Sequence, residues 1–364
     1  MRKQINWVNV IFMLTTPVVA VAGLICLIAT HQLKWETWVL TLVLAMLTGF
    51  SITAGYHRLF THRSYEASKL VKFFFLIFGA AAFENSAKHW CSDHRDHHRY
   101  VDKDEDPYNI NKGFFHAHIG WIFFKKEPGH VIGNIPDLLA DPLIRFQDRF
   151  YYIIAVVIGF ILPTAVASLW GDPWGGLLLA GVTRVVFNHH ATFLINSLCH
   201  FIGKQPYSDQ NSSRDSWWIA FLTYGEGFHN FHHSFQADYR NGFRSYHWDP
   251  AKWIIRWMEW VGLARNLRRV SKEKILLARL RMEEKYLLRK VESKELVTTT
   301  RLKLEEAYTR FCRLKEEYRA LKKQKVGAMR KQFLAMKQQL KQQLCETKLS
   351  LKEAKNSWTS LCKI

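Results

Sequence analysis

The chain has few cysteines, and their spacing excludes two kinds of site. Six occur among 364 residues, scattered without paired spacing: Cys26, Cys91, Cys199, Cys312, Cys345 and Cys362. Disulfide-dependent secreted domains and thiolate zinc sites both need characteristic pairs of cysteines. The sequence therefore predicts neither a disulfide framework nor a thiolate metal site, and a reducing compartment is expected.

Acidic residues are also few compared with basic ones. The chain has 31 Asp and Glu against 51 Lys and Arg, a formal charge of +20 that first suggests nucleic acid. However, residues 271–364 alone hold 25 basic and 11 acidic residues, which leaves only +6 for the other 270. Those 270 residues hold nearly all the tryptophan and the long uncharged stretches, a composition typical of a membrane-embedded body. No nucleic-acid partner is expected.

Four stretches approach or reach the roughly 20 residues that cross a bilayer as a helix. They are residues 8–30, 37–56, 150–170 and 174–194, and several have tryptophan or tyrosine at their ends, as at membrane interfaces. The fourth contains Arg184, which is costly in hydrocarbon, so we expect its side chain to face protein or a polar cavity. The predicted fold class is an all-α integral membrane protein with four transmembrane helices.

The distribution of positive charge predicts the topology. Residues 57–149, between the second and third spans, contain 13 Lys and Arg, whereas the opposite turns, 31–36 and 171–173, contain one and none. Positive loops mark the cytoplasmic side. We therefore expect a multi-pass protein with both termini, and a His-rich helical cap that carries the active site, on that side.

Residues 271–364 predict a basic helical tail after a membrane domain of residues 1–270. The tail lacks proline, and apolar residues alternate at spacings of three and four, as at the a and d positions of a coiled coil: Leu304, Ala307, Phe311, Leu314, Tyr318 and Leu321. Three interpretations remain open: a solvated amphipathic helix or antiparallel hairpin, a coiled coil that drives oligomerisation, and a basic surface against anionic lipid.

Histidine is abundant, with 17 residues, and three clusters stand out: residues 57–62 (HRLFTH), 94–98 (HRDHH) and 229–233 (HNFHH). In the last two, positions i, i+3 and i+4 span about 100° of an α-helix surface, so the three imidazoles of each cluster can converge on one point. His57 and His62 would lie about 140° apart on an α-helix. We expect those two rings to serve different sides of a metal cluster.

Neutral imidazole is a good ligand for iron, copper, nickel or zinc. Eight rings exceed what one ion accepts, so the sequence predicts two metal ions. The predicted ligands are His57, His62, His94, His97, His98, His229, His232 and His233. Asp93, Asp96 and Glu226 are candidates to accept the other ring proton of a ligating histidine. The alternative, ordinary core or surface histidines, is hard to reconcile with three clusters on one membrane face.

These motifs resemble those of the membrane-bound fatty acyl desaturases, specifically the delta-9 acyl-CoA (stearoyl-CoA) type and their bacterial relatives. The similar segments are residues 55–63 (GYHRLFTHR), 93–100 (DHRDHHRY), 106–109 (DPYN), 113–115 (GFF), 196–207 (NSLCHFIGKQPY) and 225–235 (GEGFHNFHHSF). The resemblance covers roughly residues 5–265. It implies that His200 is a ninth iron ligand and that Asn196 holds one iron through water.

The resemblance also implies an activity. A fatty acyl desaturase of this type uses O2 and two electrons at a His-ligated pair of irons to introduce a cis double bond into a long acyl chain, on acyl-CoA, another acyl carrier or a lipid. By resemblance, Trp90 and Phe193 would contact the acyl chain, and Thr41, Ala45 and Thr48 would close the far end of its tunnel. Lys88 and Arg95 would meet a carrier's phosphates, although positive charge near lipid headgroups explains them equally well.

The expected partners are the lipid membrane, the acyl carrier and an external electron donor. No haem-binding His-Pro-Gly-Gly segment occurs in the sequence. Electrons are therefore expected from a separate cytochrome b5, or from a ferredoxin with its reductase. Two alternative functions remain open: a related di-iron acyl hydroxylase or alkane-type monooxygenase, and a non-catalytic membrane scaffold or metal carrier.

Overall fold

The computed structural model describes residues 4–30, 34–125, 132–323 and 330–363. The chain separates into two compact units, one of residues 1–205 and 210–269 and the other of residues 206–209 and 270–364. The turn between the first two predicted spans lies partly outside the described residues. What each unit does stays a prediction.

The described residues are mostly helical. The first unit contains α1 (Trp7–Ala29), α2 (Trp35–Phe50), α3 (Lys69–Ala80), α4 (Ala87–Tyr100), α5 (Phe114–His118), α6 (Pro136–Ala140), α7 (Pro142–Arg149), α8 (Tyr151–Val156), α9 (Leu162–Ser168), α10 (Pro173–Gly175), α11 (Arg184–Ser197), α12 (Trp217–Leu222), α13 (His229–Ser234) and α14 (Pro250–Trp260). π-helical segments lie at Ser51–Thr61, Val157–Ile161 and Gly176–Thr183, and 3-10 turns at Ile110–Lys112, Gly120–Phe123 and Leu198–His200. Strands β1 (Glu66–Ala67) and β2 (Ala264–Arg265) pair antiparallel. The second unit contains α15 (Lys272–Leu287), α16 (Lys294–Lys323) and α17 (Arg330–Leu361).

Three helices among the described residues are long and apolar enough to cross a membrane: Trp7–Ala29, Trp35–Thr61 and Tyr151–Ser168. They correspond to the first three predicted spans. The fourth predicted span is helical without interruption from Pro173 to Ser197. Its mean hydropathy is lowered by Arg184, Asn188 and the histidines that follow, and it is not among the three candidate spans.

The side chain of Arg184 faces protein, as the sequence predicts. It is almost completely buried, and its guanidinium donates hydrogen bonds to three backbone carbonyls, those of Ala180 (2.9 Å), Ala81 (2.9 Å) and Gly159 (3.0 Å). Buried polar groups in an apolar layer need such partners. The arginine therefore connects three helical segments of the first unit.

The second helix changes character at its midpoint. In α2, Leu42, Val43 and Met46 are exposed, which is expected of side chains that face lipid, whereas every residue of Ser51–Thr61 is buried in protein. This buried segment packs against α3, α4 and α14 and so forms the centre of the first unit's core. The same helix thus connects the membrane-exposed part of the unit to the part that holds the histidine clusters.

The helices of the second unit bury their apolar residues against one another. Leu304 near the start of α16 shares a core with Trp358 and Leu361 at the end of α17, so the two helices run antiparallel. Leu314 and Leu321 are also buried. Packing within one chain therefore accounts for the a and d pattern, and oligomerisation through the tail stays a prediction.

Candidate metal centre

The first histidine pair lies at the end of the second helix, where the backbone is π-helical. The amide of His62 donates to the carbonyl of His57 (3.1 Å), a bond between residues five apart. A π-turn closes over five residues, so residues at this spacing lie on one side of the helix. The two ring centroids are 4.8 Å apart. The expectation that these rings serve different sides of a cluster is therefore wrong, because it assumed α-helical geometry.

The other two clusters lie on α4 and at the start of α13. On α4, His94 and His98 point to one group of imidazoles and His97 to another. On α13, His232 joins the first group, and His229 and His233 join the second. The spacing predicted that the three rings of each cluster converge on one point. The structure instead divides each cluster between the two groups, so that α4 and α13 each contribute to both.

The first group, which we call group A, contains His57, His62, His94, His98 and His232. Contacts between Nε2 atoms run from His57 to His232 (3.0 Å), from His232 to His98 (3.0 Å) and from His98 to His94 (3.1 Å). Among the described residues, the buried Nε2 atom of His62 has no hydrogen-bond partner. Group A therefore gathers five ring nitrogens within 4.8 Å of one another.

The second group, group B, contains His97, His200, His229 and His233, all buried. Its Nε2 contacts join His97 to His233 (3.3 Å), His233 to His229 (3.1 Å) and His229 to His200 (3.1 Å). The two groups adjoin, since the rings of His98 and His233 stack at 4.3 Å between centroids. His200, which the sequence placed here only through the family resemblance, lies in group B.

Hydrogen bonds alone do not account for these contacts. A ring nitrogen carries either one proton or one lone pair, yet the Nε2 atoms of His229, His232 and His233 each have two ring nitrogens close by. When imidazoles bind one ion at about 2.1 Å, neighbouring ligand nitrogens lie roughly 3.0 to 3.4 Å apart. The observed spacings of 3.0–3.3 Å match that arrangement. Both groups therefore fit metal ions.

The electrostatic environment keeps most of these rings neutral, as metal ligation requires. Burial, and to a smaller extent the neighbouring imidazoles, lower the pKa well below the ordinary value for seven members of the two groups: His62, His94, His98, His200, His229, His232 and His233. Desolvation disfavours the charged imidazolium and leaves the lone pair available. The donor set is thus ready to bind a cation without first losing protons.

The family of the chain follows from comparison with known proteins. A family model described as "Fatty acid desaturase" matches residues 33–263. The chain belongs to the fatty acid desaturase family. A probable acyl-CoA desaturase of Schizosaccharomyces pombe is 44% identical over 73% of this chain and 55% of its own length. Acyl-CoA desaturase 1 of Saccharomyces cerevisiae is 40% identical over 79% of this chain and 57% of its own length. Stearoyl-CoA desaturase 5 of Bos taurus is 38% identical over 75% of this chain and 83% of its own length.

Two qualifications follow from these relatives. The chain spans a little over half the length of the two yeast proteins that it matches. The predicted likeness to bacterial members is not borne out, since the three relatives named are eukaryotic. The motifs on which the prediction rested identify the family but do not distinguish its bacterial from its eukaryotic members.

The carboxylate of Glu226 lies close to the outer nitrogen of His57 in group A. Its Oε2 lies 3.2 Å from His57 Nδ1, and its Oε1 accepts from Arg58 (2.9 Å), which also pairs with Asp249 (2.9 Å). Burial alone would raise the pKa of Glu226, but the charges and hydrogen bonds of His57 and Arg58 lower it. The carboxylate therefore lies within reach of the outer proton of the ring, as expected of a partner to a metal ligand.

Two further outer partners were missed by sequence reasoning. His97 Nδ1 donates to Asp106 Oδ1 (2.8 Å), and His200 Nδ1 donates to Ser212 Oγ (2.7 Å), which in turn donates to Asp102. Asp106 belongs to the DPYN segment that contributed to the family resemblance, and this was the only available signal. Nothing in the spacing of Ser212 or Asp102 indicates their role.

The other polar candidates have different contacts. Asp96 accepts from Asn134 Nδ2 (2.7 Å), which in turn donates to the Ser92 carbonyl (2.8 Å). Asp93 and Asn196 are both buried. Their proposed parts in metal binding stay predictions.

The candidate substrate residues divide into three sets: two aromatic residues, three residues of α2 and two basic residues. Trp90 stacks on His94 of group A at 4.9 Å, and Phe193 is buried beside His189. On α2, Thr41 donates to the Thr37 carbonyl, the Ala45 carbonyl accepts from Tyr224 (3.2 Å), and Thr48 accepts from Asn188. Lys88 pairs with Asp148 (2.8 Å), and Arg95 forms two hydrogen bonds to Asp137. Trp90 therefore contacts a histidine of group A directly.

Proposed function

We propose that this chain is an oxygen-dependent fatty acyl desaturase that binds two irons, one in group A and one in group B. The observation that carries the proposal is the convergence of nine imidazoles in two adjoining groups, with Nε2 spacings of 3.0–3.3 Å. When bound, the irons supply the oxidising chemistry, with O2, that an unactivated methylene C–H bond requires. Family membership supports iron as the metal.

The proposed reaction converts one CH2–CH2 pair to a cis CH=CH pair. Two hydrogens leave adjacent carbons, and O2 takes up these hydrogens together with two electrons and two protons to give two waters. Most of the protein's contribution is positional, because the acyl chain must present one carbon pair to the metals. Glu226 and Asp106 hold the rings of His57 and His97 in place, and Asn196 holds one iron through water.

We place the acyl chain in an apolar slot beside group A. Trp90 and Phe193 contact it, and Thr41, Ala45 and Thr48 close its far end. The substrate is a long-chain acyl-CoA and the product a delta-9 double bond, in keeping with a relative named stearoyl-CoA desaturase and another named Delta(9)-fatty-acid desaturase. Lys88 already pairs with Asp148, and Arg95 with Asp137. Each would therefore bind a phosphate of the carrier while it remains close to its carboxylate partner.

The proposed topology has four spans, with residues 174–194 as the fourth. Both termini, the cap and the metal centre lie on the cytoplasmic side, a placement supported by the positive residues between the second and third spans. Electrons come from a cytochrome b5, or from a ferredoxin with its reductase. The tail provides a surface for oligomerisation in addition to its own internal core.

The test is the lipid profile of a desaturase-deficient host that expresses the chain. We expect new cis-monounsaturated chains by gas chromatography, with the double bond located at carbon 9 by mass spectrometry of disulfide adducts. His97→Ala and His232→Ala should abolish the product, whereas His89→Ala, outside both groups, should retain it. Hydroxylated chains without new double bonds would favour the hydroxylase, and activity in both group variants would defeat the metal assignment.

A further inference from the structure

Helix α14 presents a row of tryptophans away from the protein. Ala251, Ile255 and Met258 form its buried face, at helical spacing. On the other side, Trp253, Trp257 and Trp260 repeat at the same spacing of four and three residues, and Trp257 and Trp260 are 55% and 81% exposed. Three large rings on one solvent-accessible helix face are unusual in a water-soluble domain.

The exposed face continues beyond α14. The ring of Trp248, just before the helix, packs edge-on against Trp253 (5.6 Å) and stacks on Phe221 of α12 (4.9 Å). In α12, Trp217 is also largely exposed and packs against Phe221 (6.2 Å). The aromatic face therefore extends over two helices that are separated in sequence by a metal-ligand segment.

The position of α12 relates this face to the membrane-exposed part of the second helix. Tyr224, two residues beyond α12, donates to the Ala45 carbonyl (3.2 Å), and its ring packs against Phe50 (5.7 Å). After Phe50, every residue of the helix from Ser51 to Thr61 is buried in protein, whereas Met46, one turn before Phe50, is exposed. The aromatic face therefore begins at the level where the lipid-facing surface of the span ends.

We propose that the exposed face of α12 and α14 lies in the interfacial layer of the bilayer, between headgroups and acyl chains, as a non-spanning attachment of the cap. Tryptophan favours this layer because its ring is apolar and its indole N–H can be hydrated. Arg256 and Glu259 flank the tryptophan row, as polar residues do on helices that lie in the interface. The occupant of this face is lipid, and the inference requires only that the chain is embedded in a membrane.

A hydrogen bond and ion pairs connect α14 to the segment that carries His57 of group A. Asp249 caps α14 by accepting from the Lys252 amide (3.1 Å), and the same carboxylate pairs with Arg58 (2.9 Å). Arg58 adjoins His57 of group A in sequence and shares Glu226 with it. Asp249 and Arg58 therefore link α14 to the segment that carries group A.

The test measures the depth of a spin label at Trp257 in the full chain reconstituted in phosphatidylcholine vesicles. Exposed cysteines are first replaced by serine, and Trp257→Cys is compared with Val18→Cys on α1 and Asp104→Cys in the loop after α4. Val18 is an exposed apolar side chain of a candidate span, and Asp104 has a 99% exposed side chain. We expect the Trp257 label to lie between the two references: more accessible to oxygen and less accessible to a water-soluble nickel complex than the Asp104 label, but shallower than the Val18 label at the middle of its span.

Two results would overturn the proposal. A label with the accessibility of the Asp104 site would place the face in water, and a label shielded from both reagents would mean that protein covers it. If the Trp257 variant does not fold, Trp260→Cys carries the same expectation, because its ring is the most exposed of the row. The depth measurement does not depend on enzyme activity. If the host assay showed no desaturation, the depth of the label would still test the proposed attachment.

Discussion

Replacement of Glu84 by glutamine should stabilise the protein, and increasingly so as the pH rises. Glu84 lies between α3 and α4, where its carboxylate accepts from Thr192 Oγ1 (2.8 Å) and Trp90 Nε1 (3.2 Å). No ion pair to a basic residue is found for it among the described residues. Burial raises the pKa of Glu84 from 4.5 to about 8, against the opposing effect of these two hydrogen bonds.

The sign and the magnitude follow from this shift. Between pH 4.5 and 8 the folded state keeps a proton on Glu84 that the unfolded state has lost, so the free energy of unfolding falls as the pH rises through this window. At about 1.4 kcal/mol per pH unit, the full shift corresponds to an upper limit of about 5 kcal/mol. Because Glu84 retains some exposed surface, solvent screening should reduce the effect to about 2–3 kcal/mol.

Thermal unfolding of the metal-loaded protein in detergent provides the assay. Glu84→Gln keeps the size of the side chain and an oxygen acceptor but cannot ionise. We expect a small difference in melting temperature from the unsubstituted protein at pH 5.5 and a clear gain at pH 8.5. Glu105→Gln, on an exposed loop residue, should show no such trend. A gain of equal size at both pH values, or a loss at pH 8.5, would refute the reasoning.

Three further substitutions test the packing around the metal centre. Asp106→Asn should weaken metal binding in group B by about 10- to 100-fold, because it removes the carboxylate that orients a ligand; iron content measures this, with the fully exposed Asp104→Asn as control. Arg58→Met should lower stability by about 3–5 kcal/mol, since two buried carboxylates lose their partner, and an unchanged melting temperature would contradict the ion-pair assignment. Gly79→Ala should cost about 1–3 kcal/mol in thermal unfolding because its Cβ would lie 2.4 Å from a buried tyrosine ring, whereas Gly133→Ala has open space and should be neutral.

The sequence predicted which histidines gather but not how they divide. Spacing of three and four residues on α4 and α13 is enough to predict a shared helix face, and these histidines do lie in the centre. It cannot tell that His97 turns to a different group from its neighbours His94 and His98. That division depends on where the other helices supply their rings, which is information from tertiary structure.

Other differences arise from local backbone and from composition. A π-helical segment is not encoded in any simple periodicity, so the common face of His57 and His62 was inaccessible to a prediction based on α-helices. The predicted span at residues 174–194 contains Arg184 and two histidines, which lower its mean hydropathy although its backbone is continuous helix. Mean hydropathy therefore identifies three candidate spans and leaves out a helix whose arginine faces protein.

The division of ligands has a consequence for how the centre forms. Helices α4 and α13 each contribute to both groups, while the end of the second helix contributes only to group A and the turn at Leu198–His200 only to group B. Neither group can be complete unless α4 and α13 are in place together, so the two sites share their supporting structure. Since the rings of His98 and His233 are in contact across the groups, a shift of either helix must disturb both sites at once. In the proposed two-iron centre, loss of one site through a shift of α4 or α13 should therefore be accompanied by loss of the other.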